Sequence, residues 1–310
     1  MKVVFFGSDD FAAEGLKALL SSRHKVAACV TQPDRAKGRH LKLSPSLIKE
    51  IAVKSKIEIL QPKNLRDKEI ADQLKSFQAD LFVVIAYGNI LPPGILSIPK
   101  MFSINVHGSL LPKYRGAAPI NWVIINGEKK SGISIIKMNE KMDAGDIIAQ
   151  KEIIIEPDET SASLRERMAK IGAGLLLEAV DSIEKKSYQL TKQDEKKVSF
   201  APKLKKEDGH VNWHDQAVLI HNRVRGLLPW PGAFSFLAGK QLKILKAKIV
   251  EGNKGKYNPG DVIEIRPEGF VVAAADRPVL ILEVHLESSK PMNAKDFILG
   301  HKLAVGSKLE

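Results

Sequence analysis

The chain has 310 residues, 44% of them hydrophobic and 27% charged, with a formal net charge of +12. That length predicts two domains with ample core. The composition excludes a disordered chain, and the single Cys29 excludes an internal disulfide. The excess of basic residues calls for an anionic partner: nucleic acid, anionic lipid or a polyanionic small molecule.

Val3 to Phe6 is only four apolar residues, too short for a secretion signal, and no apolar run approaches membrane-spanning length. Cys29 lies inside the apolar run 26–30, which reads as packing in a reducing compartment. The expected location is the cytoplasm. Residues 2–6 predict a buried strand, 11–20 a helix and 26–31 a second strand. The opening is of dinucleotide-binding type, yet G-x-G-x-x-G is absent. Asp9 and Asp10 stand at the helix start, where a pyrophosphate would otherwise bind. The prediction is a Rossmann-like, mostly parallel sheet without NAD.

Residues 32–43 break the pattern. Arg35, Lys37, Arg39 and Lys42 stand against one acid, Asp34, while Pro33 and Gly38 argue against a regular element. Such a run is either a solvated basic loop or a phosphate-contacting one. A helix over 46–55, a strand over 57–60 and a helix over 67–77 follow. Residues 81–86 are apolar throughout, as in a strand buried on both faces. Tyr87, Gly88, Asn89, Ile90 and Leu91 end it before Pro92-Pro93, and Gly88 would let a ligand approach the backbone.

The densest chemistry comes next. The strand 101–106 delivers Asn105 and His107, two apart and so on one side of it. Gly108, Ser109, Leu110, Leu111 and Pro112 then turn the chain away. An amide can donate to a carbonyl oxygen, and an imidazole can donate or move a proton near neutral pH. Both suit reactions at a carbonyl carbon, where negative charge grows on oxygen. The pair could equally cap the strand. A helix over 117–126 and a strand over 132–138 lead to an acidic turn with Asp143 and Asp146, then a strand over 147–155.

Residues 160–186 predict one long helix, capped by Thr160 or Ser161, with Leu164, Met168, Ile171, Leu175 and Ala179 as its buried stripe. Residues 187–206 are lysine-rich and read as a basic linker between a first domain, 1–186, and a second, 207–310. Beyond a helix over 217–224, five short strands (233–237, 241–250, 261–265, 270–274 and 279–286) suit an OB-like barrel. Trp213 and Trp230 are expected to be core anchors. His210 and His214 are four apart but lack a third ligand, so no metal is expected.

The string Asn105-Val106-His107-Gly108-Ser109-Leu110-Leu111-Pro112, continued by Tyr114-Arg115-Gly116-Ala117-Ala118-Pro119-Ile120, resembles the signature of the folate-dependent formyltransferases. More narrowly, it is similar to the branch that acts on methionyl-tRNA, and the likeness runs through essentially the whole chain. The resemblance implies transfer of a formyl group from 10-formyltetrahydrofolate to the α-amine of initiator methionyl-tRNA. It implies Asn105, His107 and Asp143 as catalytic residues, Asp143 being the first aspartate of an Asp-x-Gly-Asp pattern. Tyr87–Leu91 and Ser109–Pro112 would meet the folate. Arg39, with Arg35, Lys37 and Lys42, would approach the tRNA acceptor end. A monomer is expected. The alternatives are a formyltransferase acting on a small amine, glycinamide ribonucleotide or a sugar nucleotide, and a non-catalytic RNA-binding protein.

Overall fold

A computed structural model describes residues 1–37, 42–252 and 257–310. The chain forms two compact units. The first comprises Met1–Pro119, Ser131–Ile154 and Arg165–Ala201, the second Ile120–Lys130, Ile155–Leu164 and Pro202–Glu310. Residues 187–201 of the lysine-rich stretch therefore belong to the first unit.

In chain order the elements begin with β1 (Lys2–Gly7), α1 (Asp10–Leu20) and β2 (Lys25–Val30). Then come β3 (Arg35–Lys37), β4 (Lys42–Ser44), α2 (Leu47–Lys54), β5 (Glu58–Leu60), α3 (Lys68–Ser76) and β6 (Leu81–Ile85). A short α4 (Pro93–Leu96), β7 (Phe102–His107), α5 (Pro119–Ile125), β8 (Lys130–Lys137), β9 (Ile147–Ile154) and α6 (Ser161–Glu184) follow.

Seven strands make one sheet in the order β5-β2-β1-β6-β7-β8-β9. β1 pairs in parallel with both β2 and β6, β6 in parallel with β7, and β8 turns antiparallel to β7. The strand order reverses beside β1, and the crevice outside the carboxyl ends of the strands at such a point is where open α/β sheets bind ligands. β6 is buried on both faces, as its unbroken apolar run predicts. Phe6, Phe82 and Tyr87 pack at centroid distances of 5.1 and 5.5 Å from Phe6. Each such buried side chain contributes roughly 1.5–3 kcal/mol. Four of the five residues expected in the stripe of α6, Leu164, Met168, Leu175 and Ala179, are buried, joined by Leu176, Val180 and Ile183, while Ile171 is only half-buried.

The N-terminus of α1 is closed by its own sequence. Asp9 accepts from the Ala12 N–H at 3.1 Å, and Arg165 bonds to both Asp9 and Asp10. Residues 32–43 differ from the irregular loop predicted. β3 and β4 pair antiparallel, Arg35 opposite Ser44 and Lys37 opposite Lys42. Pro33 precedes the ladder, which is only three residues long on each strand. Arg39 lies outside the described residues.

The second unit carries α7 (Ala217–Gly226), the strands β10 (Ala233–Leu237), β11 (Lys240–Ile249), β12 (Val262–Arg266), β13 (Gly269–Val272), β14 (Val279–Leu286) and β15 (Met292–Asn293), and α8 (Ala294–His301). The sheet runs β10-β11-β14-β13-β12, antiparallel throughout, with β15 added to β14. Its two outer strands are joined by the last residues: Leu309 bridges Leu237, and Lys308 bridges Asp261. Gly260 sits at φ +92°, with space for a Cβ blocked by the Leu309 carbonyl 2.3 Å away, so only glycine admits this closure. Trp213 is buried and donates to Ser235 Oγ at 3.0 Å, as a core anchor should. Trp230 is not one. It is 54% exposed, because the prolines on both sides hold it in a turn and not on a strand.

Candidate active site

β7 ends on His107, at the carboxyl end of the sheet. Asn105 lies beside Val84 of β6 and Ile136 of β8, and His107 beside Ser134. The two polar side chains share one side of the strand while Ile104 and Val106 pack on the other. Asp143 arrives from the turn between β8 and β9. One carboxylate oxygen accepts from Asn105 Nδ2 at 3.2 Å. The other accepts from the Gly116 N–H at 2.9 Å and lies 3.6 Å from His107 Nδ1. His107 Nε2 donates to the Tyr114 carbonyl at 2.9 Å. A carbonyl can only accept, so Nε2 carries a hydrogen, and Nδ1 is the ring atom turned to Asp143.

The backbone around this cluster is unusual in ways the sequence explains. Asp143 has φ 51° and Tyr114 φ 61°, left-handed conformations that aspartate tolerates better than most side chains. Gly145 runs so close to β8 that a Cβ would fall 1.8 Å from the Lys137 carbonyl. This accounts for glycine in the Asp143-Ala144-Gly145-Asp146 turn. The backbone carbonyl of Asp146 accepts from the Lys137 N–H at 2.9 Å.

The segments expected to meet a ligand divide by burial. Tyr87 and Leu91 are buried in the core beside Phe6 and Phe82. Between them Gly88, Asn89 and Ile90 are exposed, Ile90 by 71%, and nothing lies within 4 Å of where a Gly88 Cβ would be. Ser109 is fully buried and donates to the Lys113 carbonyl at 2.7 Å. Leu111 packs with Ile136 and Ile147, and Pro112 is half-buried. Ser109 and Leu111 thus hold the turn that sets the Tyr114 carbonyl against His107. The groups that sequence reasoning missed, the Tyr114 carbonyl and the Gly116 N–H, are backbone atoms. Gly116, at φ +126° and 2.6 Å from the Ala201 carbonyl at its would-be Cβ, was the visible signal for one of them.

Among the described residues, the grouping of side chains that could hold an ion is His24, Asp181 and Glu184. Arg23 already pairs with both carboxylates. His210 packs on Phe234 and Phe236. No helix of the described residues is long and apolar enough to cross a membrane.

The family profile described as "Formyl transferase" matches residues 1–180, and that described as "Formyl transferase, C-terminal domain" matches residues 203–302. The methionyl-tRNA formyltransferase of Acetivibrio thermocellus is 41% identical over 309 residues, covering 100% of this chain and 99% of the relative. That of Geotalea uraniireducens is 43% identical over 309 residues, covering 100% and 98%. Among solved structures, the sugar 3N-formyl transferase WlaRD has the same fold, with a TM-score of 0.68 at 21% identity over 94% of this chain and 99% of that one. HypX from Aquifex aeolicus follows with a TM-score of 0.67 at 19% identity, over 99% of this chain and 49% of that one. With both family profiles matched and full-length relatives above 40% identity, the chain belongs to the formyl transferase family, alongside the methionyl-tRNA formyltransferases.

Proposed function

We propose that this protein transfers a formyl group from 10-formyltetrahydrofolate to the α-amine of initiator methionyl-tRNA. The observation that carries the chemistry is the Asp143 carboxylate, held by the Asn105 amide and the Gly116 N–H and facing His107 Nδ1. The full-length relatives carry the choice of tRNA over a small amine.

The reduced folate supplies an activated formyl carbon. Gly88, Asn89 and Ile90 offer an open, partly apolar edge for its ring, anchored by Tyr87 and Leu91, with half-buried Pro112 in the turn after β7. Asn105 Nδ2 has two hydrogens. One serves Asp143, and the other is free to meet the oxygen on which negative charge grows. A donor so placed is worth on the order of 3 kcal/mol of barrier. The amine attacks as the neutral base and must lose a proton once bonded. Asp143 accepts that proton, directly or through one water, with His107 Nδ1 within reach to share it, and the proton passes on to the folate nitrogen as its bond to the formyl carbon breaks. The Tyr114 carbonyl keeps the ring in one tautomer meanwhile.

Residues 1–186 carry this chemistry. The basic stretch with Arg35, Lys37, Arg39 and Lys42, the lysines of 187–206 and the barrel of 207–310 contact the tRNA. The protein acts as a monomer in the cytoplasm and needs no metal. Buried Cys29, its thiol pushed up to about 12 by loss of solvation, takes no part. Formylation assays with 10-formyltetrahydrofolate test the reading. Methionyl-tRNA should accept the formyl group, and uncharged tRNA, glycinamide ribonucleotide and an aminosugar nucleotide should not. Transfer to a small amine with none to methionyl-tRNA would replace it.

A further inference from the structure

The stretch 191–201 was read from its lysines as a linker, yet it is fastened at both ends to the loops of the site. Thr191 exchanges backbone bonds with Ile147, at 2.8 and 2.9 Å. Ser199 and Ala201 bond the other flank. The Arg115 N–H donates to the Ser199 carbonyl at 2.9 Å, the Ala201 N–H to the Arg115 carbonyl at 2.7 Å, and the Tyr114 N–H to Ser199 Oγ at 2.9 Å. Tyr114 is the residue whose carbonyl holds His107.

Between these fastenings lies Gln193. Its Nε2 donates to the carbonyls of Asp143 and Gly145, both at 2.8 Å. Its Oε1 accepts from Arg115 Nε at 3.0 Å and from a terminal guanidinium nitrogen at 2.8 Å. Both faces of the amide are thereby used, which fixes its orientation. The guanidinium of Arg115 is buried, and its remaining edge meets Glu195 at 2.8 and 3.3 Å. That bond holds the Glu195 carboxyl below its ordinary range. Asp143 meanwhile keeps a left-handed backbone, which costs about 1–2 kcal/mol and persists only where neighbours over-determine it. Two bonds from one amide to the carbonyls of residues 143 and 145 are such a determinant.

We infer that Gln193, aimed by Arg115 and Glu195, is a positioning residue for Asp143: it fixes the turn that sets the carboxylate against Asn105, Gly116 and His107. It touches no substrate and acts through the turn alone. The inference rests on the catalytic assignment of Asp143, so wild-type formylation is established first, and its absence would defeat that reading instead.

Gln193→Glu is the sharpest variant. It keeps the length of the side chain and its pairing to Arg115, but sets an oxygen against two carbonyl oxygens. We expect kcat to fall about tenfold or more, with KM for both substrates within about twofold. Gln193→Ala should do the same. In an Asp143→Asn background, Gln193→Ala should cost less than about twofold further, because the group it positions is already disabled. A readout without substrate is the carbon-13 resonance of the His107 ring, which should move in both Gln193 variants while the unfolding temperature changes little. Unchanged kcat in Gln193→Glu, an effect confined to KM, or the same fold loss in both backgrounds would overturn the inference.

Discussion

Among the described residues the first unit contains two buried histidines that each face an aspartate, His107 with Asp143 and His24 with Asp181. The histidines are 5% and 6% exposed, so burial does not separate them. Distance points the wrong way: His24 Nε2 lies 3.1 Å from Asp181 and His107 Nδ1 3.6 Å from Asp143. What differs is the end of the sheet and the company of the carboxylate. His24 precedes β2, at the amino end of a parallel strand, whereas His107 closes β7 at the carboxyl end, where such sheets bind ligands. Asp181 is neutralised by Arg23 at 2.7 Å, which holds its carboxyl below the usual aspartate range. Asp143 is held by an amide and a backbone N–H, and among the described residues it pairs with no lysine or arginine. A carboxylate oriented without being neutralised stays able to accept a proton; one satisfied by a guanidinium does not.

The largest effect should come from removing that ability. Asp143→Asn keeps the shape, and asparagine tolerates the left-handed backbone, so the fold should survive. Turnover should nevertheless fall about a hundredfold or more, as should that of His107→Ala. His24→Ala should stay within about twofold of wild type, since a pair at the amino end of the sheet touches no reacting atom. Equal losses in His24→Ala and His107→Ala would erase the distinction between the two pairs.

Much of this was legible in the sequence. Period-two spacing put Asn105 and His107 on one side of β7, and the apolar run of β6 announced a strand covered on both faces. Asp143 came from the family pattern, not from spacing, because two aspartates in one turn look alike until the backbone separates them. What stayed hidden was carried by backbone atoms or by side chains far along the chain. The Tyr114 carbonyl has no side-chain signature. Gln193 sits among lysines, whose charge suggested a solvated tether. Trp230 misled because an aromatic between prolines looks like an anchor, although the turn directs it outward. α8 was missed since Ala294 and Phe297 are the residues of its eight that it buries.

A smaller loss should follow from Gly145→Ala. A Cβ 1.8 Å from the Lys137 carbonyl must push the turn away from β8, and Asp143 moves with it. A displacement of this kind typically costs tenfold or more in rate, so kcat should drop by about that factor, with stability reduced by roughly 1–3 kcal/mol. A calorimetric scan beside the kinetics separates the two effects. If kcat holds, the turn is not what sets the geometry. Arg39→Ala probes the basic stretch 32–43 instead. Losing one phosphate contact should weaken tRNA binding severalfold and reduce the salt slope of log affinity by about one, with folate binding unchanged. A titration at several salt concentrations checks this, and equal slopes in both proteins would make the loop a solvated one.

The smallest effect belongs to the inert pair, and its pH dependence tests why it is inert. Arg23, followed by His24, holds the Asp181 carboxyl below its ordinary value, so the ionised form is favoured in the folded protein. A depressed carboxylate contributes stability above the unfolded aspartate value and loses it as pH falls through the folded one. Asp181→Asn should therefore lower the unfolding temperature slightly at neutral pH, with the gap from wild type closing below about pH 4. Both side chains of the Arg23–Asp181 pair are well exposed, at 58% and 42%, so added salt should also shrink the gap. Formylation should be unaffected throughout. A gap that persisted into acid would mean that Asp181 acts by shape and not by charge, and the contrast with Asp143 would then rest on position in the sheet alone.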